Sequence, residues 1–303
     1  MPVKPASSKR SIFRQICELI PTHLVPTLAR KHGIQSRAIT PWSHVLSMLY
    51  AQFTHAIGLN DVVDALCANR SGLAAIRAAV PPSRNGLSHA NKTRSSKMVE
   101  DLFWSLLDHF RTINPGFAGA KFRRLPRRFK RVVHVLDSTT IKLFANCMDW
   151  AKHRRRKAAA KLHLRLSLDT FLPAFAVVDS AKGHDSTKAH ELCAGLKSGE
   201  IAVFDMAYID YAHLFGLTER GIFWVSRVKK SMKLQCVKKL LRKSVGRILR
   251  DDIIVISNPA KRQDYPTRMR RIVAVVEVDG QDQEMTFFTN NFEWAASSIC
   301  DLY

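Results

Sequence analysis

At 303 residues, with 46% hydrophobic and 9% aromatic side chains, the chain is long enough for about two domains and for a substantial core, which excludes a disordered or low-complexity protein. Lysine and arginine number 48 against 25 acidic residues, a formal net charge of +23, and so basic a balance selects a polyanionic partner, because each neutralised phosphate releases condensed counterions. Six dispersed cysteines with no C-x-x-C spacing argue against a zinc site or a disulfide framework, and no run approaches the ~20 apolar residues of a membrane span or the h-region of a signal peptide.

Residues 1–114 read as an all-helical module. In "TPWSHVLSMLYAQFTHAIG", Thr40 is an N-cap, Pro41 occupies the first helical position, and Val45, Leu49 and Phe53 fall on one face. Asn60 is placed to cap a short helix, "DVVDALCAN". "VPPSRNGLSHANKTRSS" then interrupts the pattern through Pro81, Pro82 and Gly86, and "KMVEDLFWSLLDHFRTI" resumes a strong amphipathic period.

Residues 115–130 change character. Pro115, Gly116, Gly119 and Pro126 break helix, while Lys121, Arg123, Arg124, Arg127, Arg128 and Lys130 concentrate charge. The stretch reads equally as a solvated linker and as an arm on DNA phosphates.

Beyond Arg131 come short apolar runs of strand character: "VVHVLD", "KLHLRLSLD" and "LPAFAVVDS", then a helical "DSTKAHELCAGL" and a further strand "IAVFDM". This is an α/β pattern. After a helix at "DYAHLFGLTERG", the segments "IFWVSRVKK", "DDIIVIS" and "RMRRIVAVVEVDGQDQEMTFFTNN" are mostly β, with Asp279-Gly280 as a hairpin turn. Alternation within "IFWVSR" assigns Trp224 to the core in preference to stacking on a base.

Asp137 closes "RVVHVLD" and Asp205 closes "EIAVFD", so each carboxylate is expected at the C-terminal edge of a buried strand, and on neighbouring strands the two converge. A single aspartate in such a place is commonly a turn or helix cap. Two of them in so basic a chain fit hard oxygen ligands for Mg²⁺ or Mn²⁺, which support phosphodiester chemistry without a Ser or Cys nucleophile. Ser138, Thr139 and Thr140 are then turn and hydrogen-bonding residues rather than attackers.

"HVLDSTTIKL", "WAKHRRRKAAAKLHLRLSLD", "GHDSTKAHEL", "VFDMAYIDYAHLFGL" and "FFTNNFEWAASSICDLY" occur in this order from about Arg131 to Tyr303, and together they resemble the DDE transposases of the insertion sequence 4 family. The helical N-terminal part, with "GLSHANKTR", is more loosely similar to the helical domain that often precedes this core. The resemblance implies a ribonuclease H-like core over residues 131–303 with a β-rich insertion at about 221–290, and an N-terminal domain that recognises DNA ends. It puts the first two metal-binding carboxylates on Asp137 and Asp205, with Mg²⁺ or Mn²⁺ as cofactor. It implies DNA contacts from Arg154, Arg155, Arg156, Lys157, Lys161, His163 and Tyr303, although the basic residues read equally as a solvated face. His184 and Asp185 are expected near the site or in a turn.

The partners implied are double-stranded DNA, as element terminal repeats and target, and a second copy in a synaptic complex, in a bacterial cytoplasm at the nucleoid. The family's third carboxylate is a Glu on the helix after the last strand, in a pattern opened by a Tyr that matches Tyr303. Glu277, Glu284, Glu293 and Asp301 do not fit its spacing. The expectation is therefore a helix over Phe292 to Tyr303 cut short, a C-terminal part missing, and either impaired cut-and-paste transposition or a catalytically dead, DNA-binding remnant.

Overall fold

The computed structural model describes residues 11–35, 39–56, 58–114, 129–143, 152–153, 157–180, 184–229 and 231–303. The chain divides into two units, residues 1–115 and 116–303.

In the first unit the described residues form helices alone: α1 (Ile12–Glu18), α2 (Leu24–Lys31), α3 (Pro41–Phe53), α4 (Leu59–Ala68), α5 (Arg70–Ala74), α6 (Arg84–Thr93) and α7 (Lys97–Ile113). Thr40 caps α3 through its hydroxyl, which accepts from the Ser43 N–H at 3.0 Å, and Pro41 opens the helix. Leu46 of α3 packs with Val62, Leu66 and Leu87, whereas Val45 packs with Val25, Leu28, Met98 and Leu102. Neighbouring residues of one helix thus serve two small cores.

Two expectations about this unit are corrected. The cap of α4 is Gly58 rather than Asn60, because the Asp61 carboxylate accepts from the Gly58 N–H at 3.0 Å and starts the helix two residues earlier. The stretch after Pro81 and Pro82 contains α6: the Ser83 hydroxyl accepts from the Gly86 N–H at 3.1 Å, so the helix restarts directly behind the prolines. No helix among the described residues is long and apolar enough to cross a membrane.

The second unit is built on a ten-stranded mixed sheet: β1 (Val133–Leu143), β2 (Lys152–His153), β3 (Lys157–Ser167), β4 (Leu172–Ser180), β5 (Ile201–Phe204), β6 (Phe223–Arg227), β7 (Leu234–Lys239), β8 (Ile248–Ile256), β9 (Met269–Val278) and β10 (Gln281–Thr289). From one edge the order is β2, β3, β1, β5, β6, β10, β9, β8, β7, with β4 also paired to β3. The first long strands pair antiparallel, whereas β1, β5 and β6 run parallel. The parallel steps need crossovers, and the helices α8 (Asp185–Cys193) and α9 (Tyr211–Glu219) lie within them. Strands β7 to β10 extend the sheet as an antiparallel meander. Asp279 and Gly280 join β9 to β10, both with positive φ (52° and 76°). Two successive left-handed residues match the twist of a tight hairpin.

Each face of the sheet carries its own core. Leu136, Ala202, Phe204 and Trp224 pack with Leu192, Leu214 and Leu217 of the crossover helices. Trp224 is fully buried and donates to the Thr218 hydroxyl at 3.1 Å, as its strand alternation predicts. On the opposite face Val133, Ile201, Val203 and Val225 pack with Ile299 and Leu302.

The expected linker over 115–130 falls almost wholly outside the described residues. Of its last two positions, Phe129 is buried in this second core, 5.3 Å from Trp294 between ring centroids. The terminal helix is shorter than expected: only α11 (Ala296–Cys300) is regular. The Asn291 side-chain oxygen accepts from the N–H groups of Glu293 and Trp294, at 3.0 and 2.9 Å, and folds that stretch into a turn. A four-residue helix, α10 (Pro259–Arg262), follows β8.

Candidate active site

The parallel register of β1 and β5 runs from Val133 opposite Ile201 to Leu136 opposite Phe204. Asp137 and Asp205 come one residue further on each strand. Neighbouring strands are ~4.8 Å apart and successive side chains alternate between faces. Val133 and Val135 face the core that holds Ile299 and Leu302, as do Ile201 and Val203. Asp137 and Asp205 continue those two rows and so stand side by side on that face, at the edge where the parallel strands end.

Strand β1 does not stop at Asp137, however. It continues to Leu143 because β3 stays paired with it after β5 has left. Asp137 therefore sits within a strand held from one side, and its exposed carboxylate accepts from the Ser138 N–H at 2.7 Å. Asp205 leads directly into a single 3₁₀ turn, Met206–Tyr208.

β6 adds a third member to the row. Ser226 pairs with Phe204, so Arg227 follows it just as Asp205 follows Phe204, and its Nη2 donates to Oδ1 of Asp205 at 2.9 Å. The Tyr303 hydroxyl donates to the same oxygen at 3.0 Å. The guanidinium of Arg227 lies over the Tyr303 ring, 5.3 Å from its centroid, and Phe287 of β10 meets that ring at 5.4 Å. Burial alone would raise the Asp205 carboxyl, but the hydrogen bonds from Arg227, the Met206 N–H and Tyr303 outweigh it and hold the group below the usual carboxylate range. The Tyr303 phenol is pushed up to about 12 by burial and by the Asp205 charge.

The other face carries a different polar cluster. Ser138, one residue past Asp137, points away from it and donates to Asp185 Oδ2 at 3.3 Å. Lys161 donates to Asp185 Oδ1 at 2.6 Å, with both side chains largely enclosed. His163 is buried and bonds the Tyr208 hydroxyl at 3.0 Å; burial lowers its pKa. The amine of Lys161 is thus engaged by a carboxylate, and the ring of His163 is covered. Asp185 opens α8 and lies on the side of the sheet opposite Asp137. His184 is exposed at the N-cap of α8, where its carbonyl accepts from the Thr187 hydroxyl at 2.7 Å. Arg154, Arg155 and Arg156 fall outside the described residues, and Lys157 is described only as a residue of β3.

Arg227 escaped the reading of the sequence. The signal was present in the matching frames of "AVFD" and "WVSR": each ends an apolar strand on a charged residue of the same parity.

Among the described residues, no group of three or more His, Cys, Asp or Glu side chains stands close enough to hold a metal ion. Two carboxylates nevertheless suit Mg²⁺, which is commonly bound by one or two of them while water and substrate oxygens complete its shell. Asp137 is exposed and the Asp205 side chain is 38% accessible, so both can be reached from solvent. The donor set fits a hard divalent ion, with Arg227 as a competitor for Asp205.

The transposase DDE domain family matches residues 128–303, and a domain of unknown function, DUF4372, matches residues 8–76. Among curated proteins, the chain is 26% identical over 219 residues to the probable transposase for insertion sequence element IS5377 of Geobacillus stearothermophilus. That alignment covers 72% of this chain and 56% of the relative, so the chain spans little more than half of the relative's length. Among solved structures, the endonuclease V of Bacillus subtilis aligns over 70% of this chain and 83% of its own, at 10% identity and a TM-score of 0.27. A likeness that low does not bear on the fold.

Proposed function

The chain belongs to the transposase DDE family, which matches more than half of it, and from that premise we propose that it acts on double-stranded DNA as the cut-and-paste transposase of an insertion sequence. The observation that supports this reading is the parallel register of β1 and β5, which runs to Leu136 opposite Phe204, one residue before Asp137 and Asp205. In the reaction, water attacks a phosphodiester at the element's end and the broken P–O bond leaves a 3′-OH. That hydroxyl then attacks a phosphodiester of the target and releases a second 3′-OH.

Asp137 and Asp205 would hold Mg²⁺ or Mn²⁺, which when bound polarises the phosphoryl oxygen and favours deprotonation of the attacking water. Arg227 and Tyr303 orient the Asp205 carboxylate and keep it ionised. The strand order β4, β3, β1, β5, β6 supports a ribonuclease H-like core, and the quoted motifs support membership of the insertion sequence 4 family. The helical unit would read the terminal repeats, and synapsis of two ends would need a second copy, at the nucleoid of a bacterial cytoplasm.

The test is cleavage of terminal-repeat DNA by the 303-residue chain in Mn²⁺, beside Asp137→Asn and Asp205→Asn. Metal-dependent nicking that both variants lose supports the proposal, and nicking that survives in both overturns it. A second reading is a DNA-binding remnant without catalysis. It is favoured by the occupation of Asp205 by Arg227 and Tyr303. A gel shift of the same DNA without nicking selects it.

A further inference from the structure

We propose that the outer edge of the sheet, β7 together with the hairpin that leads from it to β8, is a contact surface for the sugar-phosphate backbone of duplex DNA. The choice of DNA rests on the transposase reading; the surface itself is argued from charge and exposure. Residues 228–250 contain nine lysines and arginines and no aspartate or glutamate. Among the described residues β7 pairs only with β8, at the end of the sheet, and its residues from Gln235 to Lys239 are exposed. Lys238, Lys239, Arg242, Lys243 and Arg250 all face solvent.

The nearest carboxylates do not offset this charge. Asp251 is buried and held by Arg270, at 2.8 and 2.6 Å. Asp252 stands opposite Lys239 in the ladder, yet it is engaged by Arg271 at 2.5 Å, with its own side chain only 5% exposed. Arg247 pairs with Asp282 at 3.2 Å, and among the described residues Lys238, Lys239, Arg242 and Lys243 have no ion-pair partner. The inward arginines neutralise the inward aspartates and leave the outward lysines unbalanced.

Lysine on an edge strand also serves to block pairing with another chain. That purpose concerns the strand itself. Here the charge runs on into the hairpin at Arg242 and Lys243, beyond any edge that needs blocking. An exposed, unpaired series of this kind suits a polyanion, because each phosphate contact releases about one counterion, with a slope of ~0.9 in log affinity against log salt.

The experiment measures binding of the full chain to a 30-base-pair duplex of arbitrary sequence from about 50 to 300 mM NaCl. Lys238→Gln, Lys239→Gln, Arg242→Gln and Lys243→Gln are combined in one variant, and a control carries Lys197→Gln and Arg268→Gln. Urea unfolding establishes that both fold. The expected result is at least a ~10-fold loss of affinity near 100 mM salt and a slope smaller by about 2 to 4 in the hairpin variant, with little change in the control. Unchanged affinity and slope in the hairpin variant, while the parent binds steeply, overturns the surface and leaves the transposase reading standing. Aggregation of that variant with unaltered DNA affinity overturns it in favour of edge protection. A parent chain that does not bind duplex DNA overturns both.

Discussion

The phenol of Tyr303 donates a 3.0 Å hydrogen bond to Oδ1 of Asp205, joining residues 98 positions apart. Arg227 reaches the same oxygen, so the end of β5, the end of β6 and the segment after α11 meet on one carboxylate.

Arg227→Met should move the Asp205 titration upward, and Tyr303→Phe should do so to a smaller degree. The Asp205 carboxyl lies below its ordinary value. Its contribution to stability is therefore present above about pH 4, the unfolded value, and is lost as the pH falls through the lower folded value. Either variant brings the folded value closer to the unfolded one and shrinks the acid-labile part. Carboxyl-carbon NMR of Asp205 measures this directly, and an unmoved titration in Arg227→Met would remove Arg227 from the site.

Lys161→Met should destabilise the second unit by about 3–5 kcal/mol, because Asp185 is left enclosed without its cation. The pair is 2.6 Å apart with side chains 18% and 11% exposed. Adding Asp185→Leu should recover most of the loss in urea unfolding. A single variant as stable as the parent would show that Asp185 finds water instead.

His213→Phe should flatten the acid limb of the stability curve. His213 is buried, its Nε2 is unpartnered, and its ring lies 4.2 Å from that of His190. Burial first, and the His190 charge second, lower its pKa to about 4. The unfolded chain takes up this proton near pH 6.5 and the folded chain only near 4, so stability declines on acidification between those values, by on the order of 3 kcal/mol. Urea unfolding at pH 7 and pH 4.5 measures the difference, which the substitution should reduce.

Arg270→Met should act at a distance from its own strand. Its guanidinium grips Asp251 through two bonds and donates to the Trp294 carbonyl at 2.6 Å. The variant should lose about 3–5 kcal/mol and speed amide exchange over residues 292–303, and exchange as slow as in the parent would show that the segment is held without Arg270.

Much of this was legible in the chain before folding. Thr40 and Pro41 announce a helix by local chemistry, Asp279-Gly280 announces a hairpin by its backbone freedom, and the two aspartates are marked by the apolar runs they close. The remainder depended on partners. Asn291 turns the chain where periodicity promised four more helical residues, because one side-chain oxygen took two backbone N–H groups. Lys161 looked like a surface cation until the β1–β3 register set it across from Thr140 and beside α8. Arg227 is one of 48 basic residues, and only the pairing of β5 with β6 distinguishes it.

Asp137, Asp205 and Arg227 share a face through the odd-even count along three paired strands, which makes the site a matter of parity. Deleting one residue between Ile201 and Asp205 would turn the carboxylate toward the α9 layer while leaving the strand pairing largely intact; deleting two would return it to Asp137, one pleat lower. Facing along these strands is thus set by counting: a change of one residue in length reverses it, and a compensating insertion or a second deletion in the same strand restores it.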